Sequence, residues 1–148
     1  MPSSPSQIPP SSPQEDPIRV IVTEDNEDDR ILLLRQLKNA SMAEMVKFID
    51  DGEQAVRFFQ KNTPALAQSL MVLFLDLKLP SLNGIEVLRQ LREIPSLNHI
   101  PVIVMTSSND PADIVACRAL GVTKWIEKPI TFDSFSKAIA DTFHQPGG

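Results

Sequence analysis

Four apolar runs in this sequence lead into residues that can manage charge. The run at 18–22 gives way to Thr23-Glu24-Asp25-Asn26, and the run at 71–75 ends on Asp76. The run at 100–105 precedes Thr106-Ser107, and Trp125-Ile126 precedes Glu127-Lys128. If these ends converge, three carboxylates (Glu24, Asp25, Asp76), two hydroxyls and one ammonium share a pocket. Carboxylates crowded in this way raise at least one another's pKa unless a cation compensates. Lys128 and one Mg²⁺ balance the three charges; Mg²⁺ prefers oxygen and takes one or two carboxylates together with water and phosphate. Asp76 is then a candidate nucleophile, because an aspartyl carboxylate can accept a phosphoryl group. Mg²⁺, Lys128 and the Thr106 hydroxyl would neutralise the phosphoryl oxygens from three sides.

The elements that must position these residues follow from hydrophobic spacing. Strands are expected at 18–22, 45–49, 71–75, 100–105 and 125–126. Between them lie helical patterns. The first runs to about Asn39 with Ile31, Leu34 and Leu37 toward the core, and the second carries Ala55, Val56 and Phe59. A third spans 84–93 with Leu88 and Leu91 inward, a fourth spans 111–120, and Gly121 stops it. Phe132, Phe135, Ile139 and Phe143 stripe the last. Alternating strands and helices predict a parallel sheet covered on both faces, an α/β doubly wound fold of five strands and five helices. In such folds ligands sit beyond the carboxyl ends of the strands, where strand order reverses. All four charged segments fall there.

At 148 residues the chain suits one domain. Residues 1–17 hold six prolines and five serines; such a stretch buries too little apolar surface to order itself and reads as a disordered tail. Residues 144–148 read as a frayed end, which leaves a domain at 18–143. A formal charge of -5 argues against a nucleic-acid partner, which demands a basic face. The lone Cys117 precludes an internal disulfide and, within an apolar helical pattern, reads as a buried thiol. No run approaches the ~20 apolar residues of a membrane span and no signal peptide is visible, so the expected location is cytoplasmic, without membrane contact.

Taken together, the motifs resemble the receiver domains of two-component response regulators over roughly residues 18–143. Those motifs are Glu24-Asp25-Asn26, Leu75-Asp76-Leu77-Lys78-Leu79-Pro80 with Asn83-Gly84, Val104-Met105-Thr106-Ser107-Ser108, and Trp125-Ile126-Glu127-Lys128-Pro129. The resemblance implies a flavodoxin-like sheet of order 2-1-3-4-5. It implies that Asp76 is the phosphoacceptor, Asp25 a direct Mg²⁺ ligand, Glu24 a ligand through water, and the Lys78 backbone carbonyl the third protein ligand. Lys128 would pair with the phosphoryl group and precede a cis peptide bond at Pro129, while Thr106 and Trp125 would form the switch pair. Trp125 is larger than the usual tyrosine or phenylalanine, and Lys78 places a cation where it can tune loss of the phosphoryl group. The implied donor is a sensor histidine kinase, phytochrome-type ones included, or a histidine phosphotransfer protein. The implied output is a protein target bound through helix 111–120, the strand at Trp125 and helix 131–143. No effector domain is expected after Phe143.

Other readings fit less well. A flavin binder on this fold wants a Ser/Thr/Gly phosphate loop after the first strand, where Glu24-Asp25 would repel phosphate. A haloacid-dehalogenase-type phosphatase needs an acid two residues after the nucleophile, and Lys78 stands there. No P-loop motif occurs. A degenerate receiver would lack one of the charged positions, and here all are filled. The chain is therefore expected to catalyse only its own phosphorylation and dephosphorylation. Asn26 or Glu27 can cap the first helix; Asp28, Asp29, Asp50 and Asp51 read as solvated caps and turns, and His99 and His144 as structural.

Overall fold

Among the described residues the β-branched and aliphatic runs form five parallel strands: β1 (Val20–Thr23), β2 (Val46–Ile49), β3 (Val72–Asp76), β4 (Val102–Thr106) and β5 (Lys124–Glu127). The computed structural model describes residues 17–106 and 110–143. All but Pro17 of the Pro/Ser-rich stretch, the end at 144–148 with His144, and Ser107 and Ser108 lie outside the described residues. The strand order is β2-β1-β3-β4-β5, so the chain reverses direction across the sheet between β1 and β3. That places the ends of β1 and β3 at the switch point.

Among the described residues six α-helices cover the sheet, one more than the spacing predicts: α1 (Glu27–Asn39), α2 (Gly52–Lys61), α3 (Thr63–Ser69), α4 (Gly84–Arg92), α5 (Pro111–Ala119) and α6 (Phe132–Phe143). The unexpected one, α3, has seven residues and a proline in its first turn, and it buries only Leu66. Too little apolar periodicity remains in so short a helix to announce it.

Side chains alternate across the strands and build two cores. On one face Ile21, Leu73, Leu75 and Val104 meet Phe59 of α2, Leu88 and Leu91 of α4, and Cys117 of α5. On the other, Val22, Phe74 and Met105 meet Leu33 and Leu37 of α1 and Phe135 of α6, whose ring stacks on Phe74 at 5.0 Å. The phase of α1 differs from expectation. Leu33 and Leu37 are buried, whereas Ile31 is 46% exposed. Four consecutive apolar residues, Ile31 to Leu34, carry no phase of their own, and the i, i+4 pair that meets β1 decides the face. Cys117 is fully buried, and burial, with Asp113 nearby, pushes its thiol pKa up.

Polar residues punctuate the helices as caps. Asn26, Asp51, Asn83 and Asp110 each accept a backbone N–H from the first turn of α1, α2, α4 and α5. Asn26 thus caps α1 and leaves Glu24 and Asp25 for other work. Among the described residues, no helix is long and apolar enough to cross a membrane.

Candidate functional site

The pocket is built at the carboxyl ends of β1 and β3. Thr23 ties the two strands at that point: its Oγ1 donates to the Phe74 carbonyl (3.2 Å) and accepts from the Asp76 N–H (2.9 Å). Beyond it, Glu24, Asp25 and Asp76 each offer a carboxylate oxygen within 4.8 Å of the others. Glu24 and Asp76 are buried, and Asp25 is exposed at the mouth. Gly84, at the start of α4, sits so close to the end of β3 that a Cβ there would collide with the Asp76 carbonyl and lie 2.6 Å from Leu77 Cα.

Each carboxylate is held in a definite pose. Asp76 Oδ1 accepts the Lys78 N–H at 2.9 Å, and Oδ2 accepts from Lys128 Nζ at 2.7 Å. Glu24 Oε2 accepts the Asn26 N–H at 2.9 Å and lies 3.2 Å from Lys128 Nζ. Burial drives the Glu24 pKa upward, more than the Asn26 N–H and Lys128 lower it. For Lys128 burial disfavours the charged form, but Asp76 and then Glu24 outweigh it and raise the pKa. Lys128 is presented by β5 and the turn after it, where its N–H donates to the Thr106 carbonyl (3.0 Å), and the Lys128-Pro129 bond is cis.

One ammonium against three carboxylates leaves an excess of two negative charges. Arg30 of α1 is engaged by Asp50 and the Glu24 carbonyl. Glu24 Oε1 is buried without a hydrogen-bond partner among the described residues. A hard divalent cation satisfies both the charge and the orphaned oxygen, so the residues present fit Mg²⁺.

Of the residues singled out in the sequence, Glu24, Asp25, Asp76 and Lys128 converge directly. Lys78 contributes its backbone to Asp76 and leaves its side chain exposed. Thr106 ends β4 half-buried. Trp125 is half-buried on β5, opposite Val104, with the Arg118 guanidinium of α5 5.3 Å from its ring centroid. His99 is exposed and apart from this group. Thr23 and Arg30 escaped the sequence reading. Both act with their side chains on backbone atoms of other residues, and only Thr23's place at a strand end hinted at its part.

The family description "Response regulator receiver domain" matches residues 20–140. The chain belongs to the response-regulator receiver family. Among its relatives, response regulator Rcp1 of Synechocystis sp. is 32% identical over 123 residues, covering 79% of this chain and 81% of its own. The solved structure of the bacteriophytochrome response regulator RtBRR is 36% identical with a TM-score of 0.69, covering 85% of this chain and 78% of that one. The Mn(2+)-bound form of Rcp1 superposes with a TM-score of 0.66 at 28% identity, over 89% of this chain and 97% of that one. This receiver is thus a phosphoacceptor response regulator of two-component signalling, a signalling domain and not an enzyme in the ordinary sense. Receiver domains bind a divalent metal, take their phosphoryl group from histidine kinases and act on downstream targets.

Proposed function

We propose that Asp76 is the phosphoacceptor and that Mg²⁺ is the metal. The observation that carries this reading is the buried Asp76 carboxylate, oriented through both oxygens beside an unbalanced double negative charge. Asp25, Asp76 and the Lys78 carbonyl would hold Mg²⁺ directly, with Glu24 acting through water. Bound there, the ion would neutralise charge developing on the transferred phosphoryl group. An Asp76 oxygen bonds to phosphorus as the bond to the donor's leaving group breaks. Lys128 then shifts from Asp76 Oδ2 to a phosphoryl oxygen, and the Thr106 hydroxyl turns toward another. The same pocket admits the water that later hydrolyses the acyl phosphate, so both steps are the domain's own chemistry.

The donor in this reading is a sensor histidine kinase or a histidine phosphotransfer protein. The likeness to a bacteriophytochrome response regulator favours a phytochrome-type kinase. Output runs through α5, β5 and α6, next to Thr106 and Trp125, where Val115 stands 68% exposed for apolar contact. Phosphorylation shifts a two-state equilibrium that a partner reads by preferring one state.

The test is incubation with acetyl phosphate, with and without Mg²⁺, read by intact mass beside Asp76→Asn. A Mg²⁺-dependent phosphoryl adduct is expected in the wild type and none in the variant. An adduct that persists in Asp76→Asn, or no adduct where another receiver is modified, sinks the assignment.

A further inference from the structure

The pocket is carried by two loops, residues 24–26 after β1 and residues 77–83 after β3. The turn at 50–52, between β2 and α2, lends no side chain to the acidic group yet holds both loops. On the β1 side, Arg30 Nη1 donates to the Glu24 carbonyl at 3.2 Å and lies 3.8 Å from Asp50 Oδ2. On the β3 side, Asp51 Oδ1 accepts from Ser81 Oγ at 2.8 Å, and Ser81 Oγ accepts the Glu53 N–H at 3.1 Å. Gly52 donates its N–H to the Pro80 carbonyl at 3.0 Å. It also packs beneath Leu82 so closely that a Cβ would lie 2.7 Å from that residue's carbonyl carbon.

Helix capping alone does not require this arrangement. Asp51 caps α2 by accepting the Gln54 N–H at 3.0 Å, which needs nothing from Ser81. Ser81 itself stands at φ +67°, the left-handed region that a residue with a Cβ avoids. Its two side-chain hydrogen bonds hold a conformation the backbone would not choose, in the loop that begins at Asp76.

We infer that the turn Asp50-Asp51-Gly52 is a brace that positions both loops of the pocket for the cation. Arg30, Asp51 and Ser81 are its positioning residues: they touch no reacting atom and fix the backbone that presents Glu24 and the loop of Lys78. Partners of this outer kind orient metal ligands and commonly change metal affinity when removed. The inference rests on the reading of Glu24, Asp25 and Asp76 as a Mg²⁺ site.

The experiment is Mg²⁺ titration by calorimetry on the full chain, with thermal unfolding in parallel, for wild type, Ser81→Ala, Arg30→Met, Asp51→Ala and Asp51→Asn. Ser81→Ala, Arg30→Met and Asp51→Ala are each expected to weaken Mg²⁺ binding by about tenfold. Asp51→Asn keeps the acceptor for Ser81 and Gln54 and restores affinity. The sign for Arg30→Met is discriminating, because removing a cation near the pocket would by charge alone tighten Mg²⁺ binding. Unchanged or tighter binding in Ser81→Ala and Arg30→Met, with only a lower Tm, overturns the brace and leaves the turn a structural element. A wild-type chain that binds no Mg²⁺ overturns the reading of the pocket, and the brace falls with it.

Discussion

Lys128→Met isolates the electrostatics of the pocket. The ammonium stands 2.7 Å from Asp76 Oδ2 and 3.2 Å from Glu24 Oε2, and the two carboxylate side chains are 2% and 0% exposed. At an effective dielectric constant of about 20 the gross attractions are about 6 and about 5 kcal/mol. Desolvating the three groups offsets much of that. Removing one partner of a buried pair nevertheless leaves uncompensated charge, at a net cost of about 3 kcal/mol. Urea unfolding in chelator at pH 7 should show that deficit, equivalent to a Tm about 10 °C lower. The deficit should shrink on acidification. Burial already raises the Glu24 pKa, and Lys128 is among the influences that lower it, so its loss raises that pKa further. A carboxyl with a raised folded pKa holds more protons folded than unfolded. Its unfavourable contribution is absent below the unfolded value, about 4.3, and grows as pH rises through the folded one. Mg²⁺ should return part of the lost stability. A deficit below about 1 kcal/mol, the range of a surface pair, that is also indifferent to pH and Mg²⁺ would refute the buried-pair reasoning.

Gly84→Ala should cost about 2–3 kcal/mol by forcing α4 away from the Asp76 backbone, and should slow adduct formation; urea midpoints and acetyl phosphate kinetics check both. Thr23→Val, close in shape, strands the buried Asp76 N–H, so a loss of about 1–3 kcal/mol is expected in the same unfolding assay. Asp51→Asn tests pH linkage away from the acidic pocket. The Gln54 N–H, then the Ser81 hydroxyl, lower the Asp51 pKa, so its contribution is present above the unfolded value of about 3.9 and is lost as pH falls through the folded one. The variant should therefore lose less stability than wild type between pH 4 and pH 2, as read from Tm against pH.

Much of the site was legible because its chemistry is local in sequence. Each of Glu24, Asp25, Asp76 and Lys128 stands at or just beyond the end of an apolar run, and a parallel sheet brings such ends to one edge whatever the details of packing. Five strands and the caps at Asn26 and Asp51 were readable for the same reason: a continuous apolar run and a polar residue before a helix are local signals. The phase of α1 was not, because Ile31, Leu32, Leu33 and Leu34 are interchangeable to a hydrophobicity count and only contact with β1 buries Leu33.

The sequence by itself determined the fold class and the identity of the charged groups, since both follow from periodicity and residue type. Tertiary structure alone decided how those groups are held. Thr23 secures the Asp76 N–H across 53 residues of chain, and Ser81 reaches Asp51 across 30. Arg30 engages a backbone carbonyl, which carries no mark in the sequence. Such contacts join atoms whose proximity depends on strand order and loop shape. No periodicity encodes them, and they are fixed only when the loops at the switch point fold against one another.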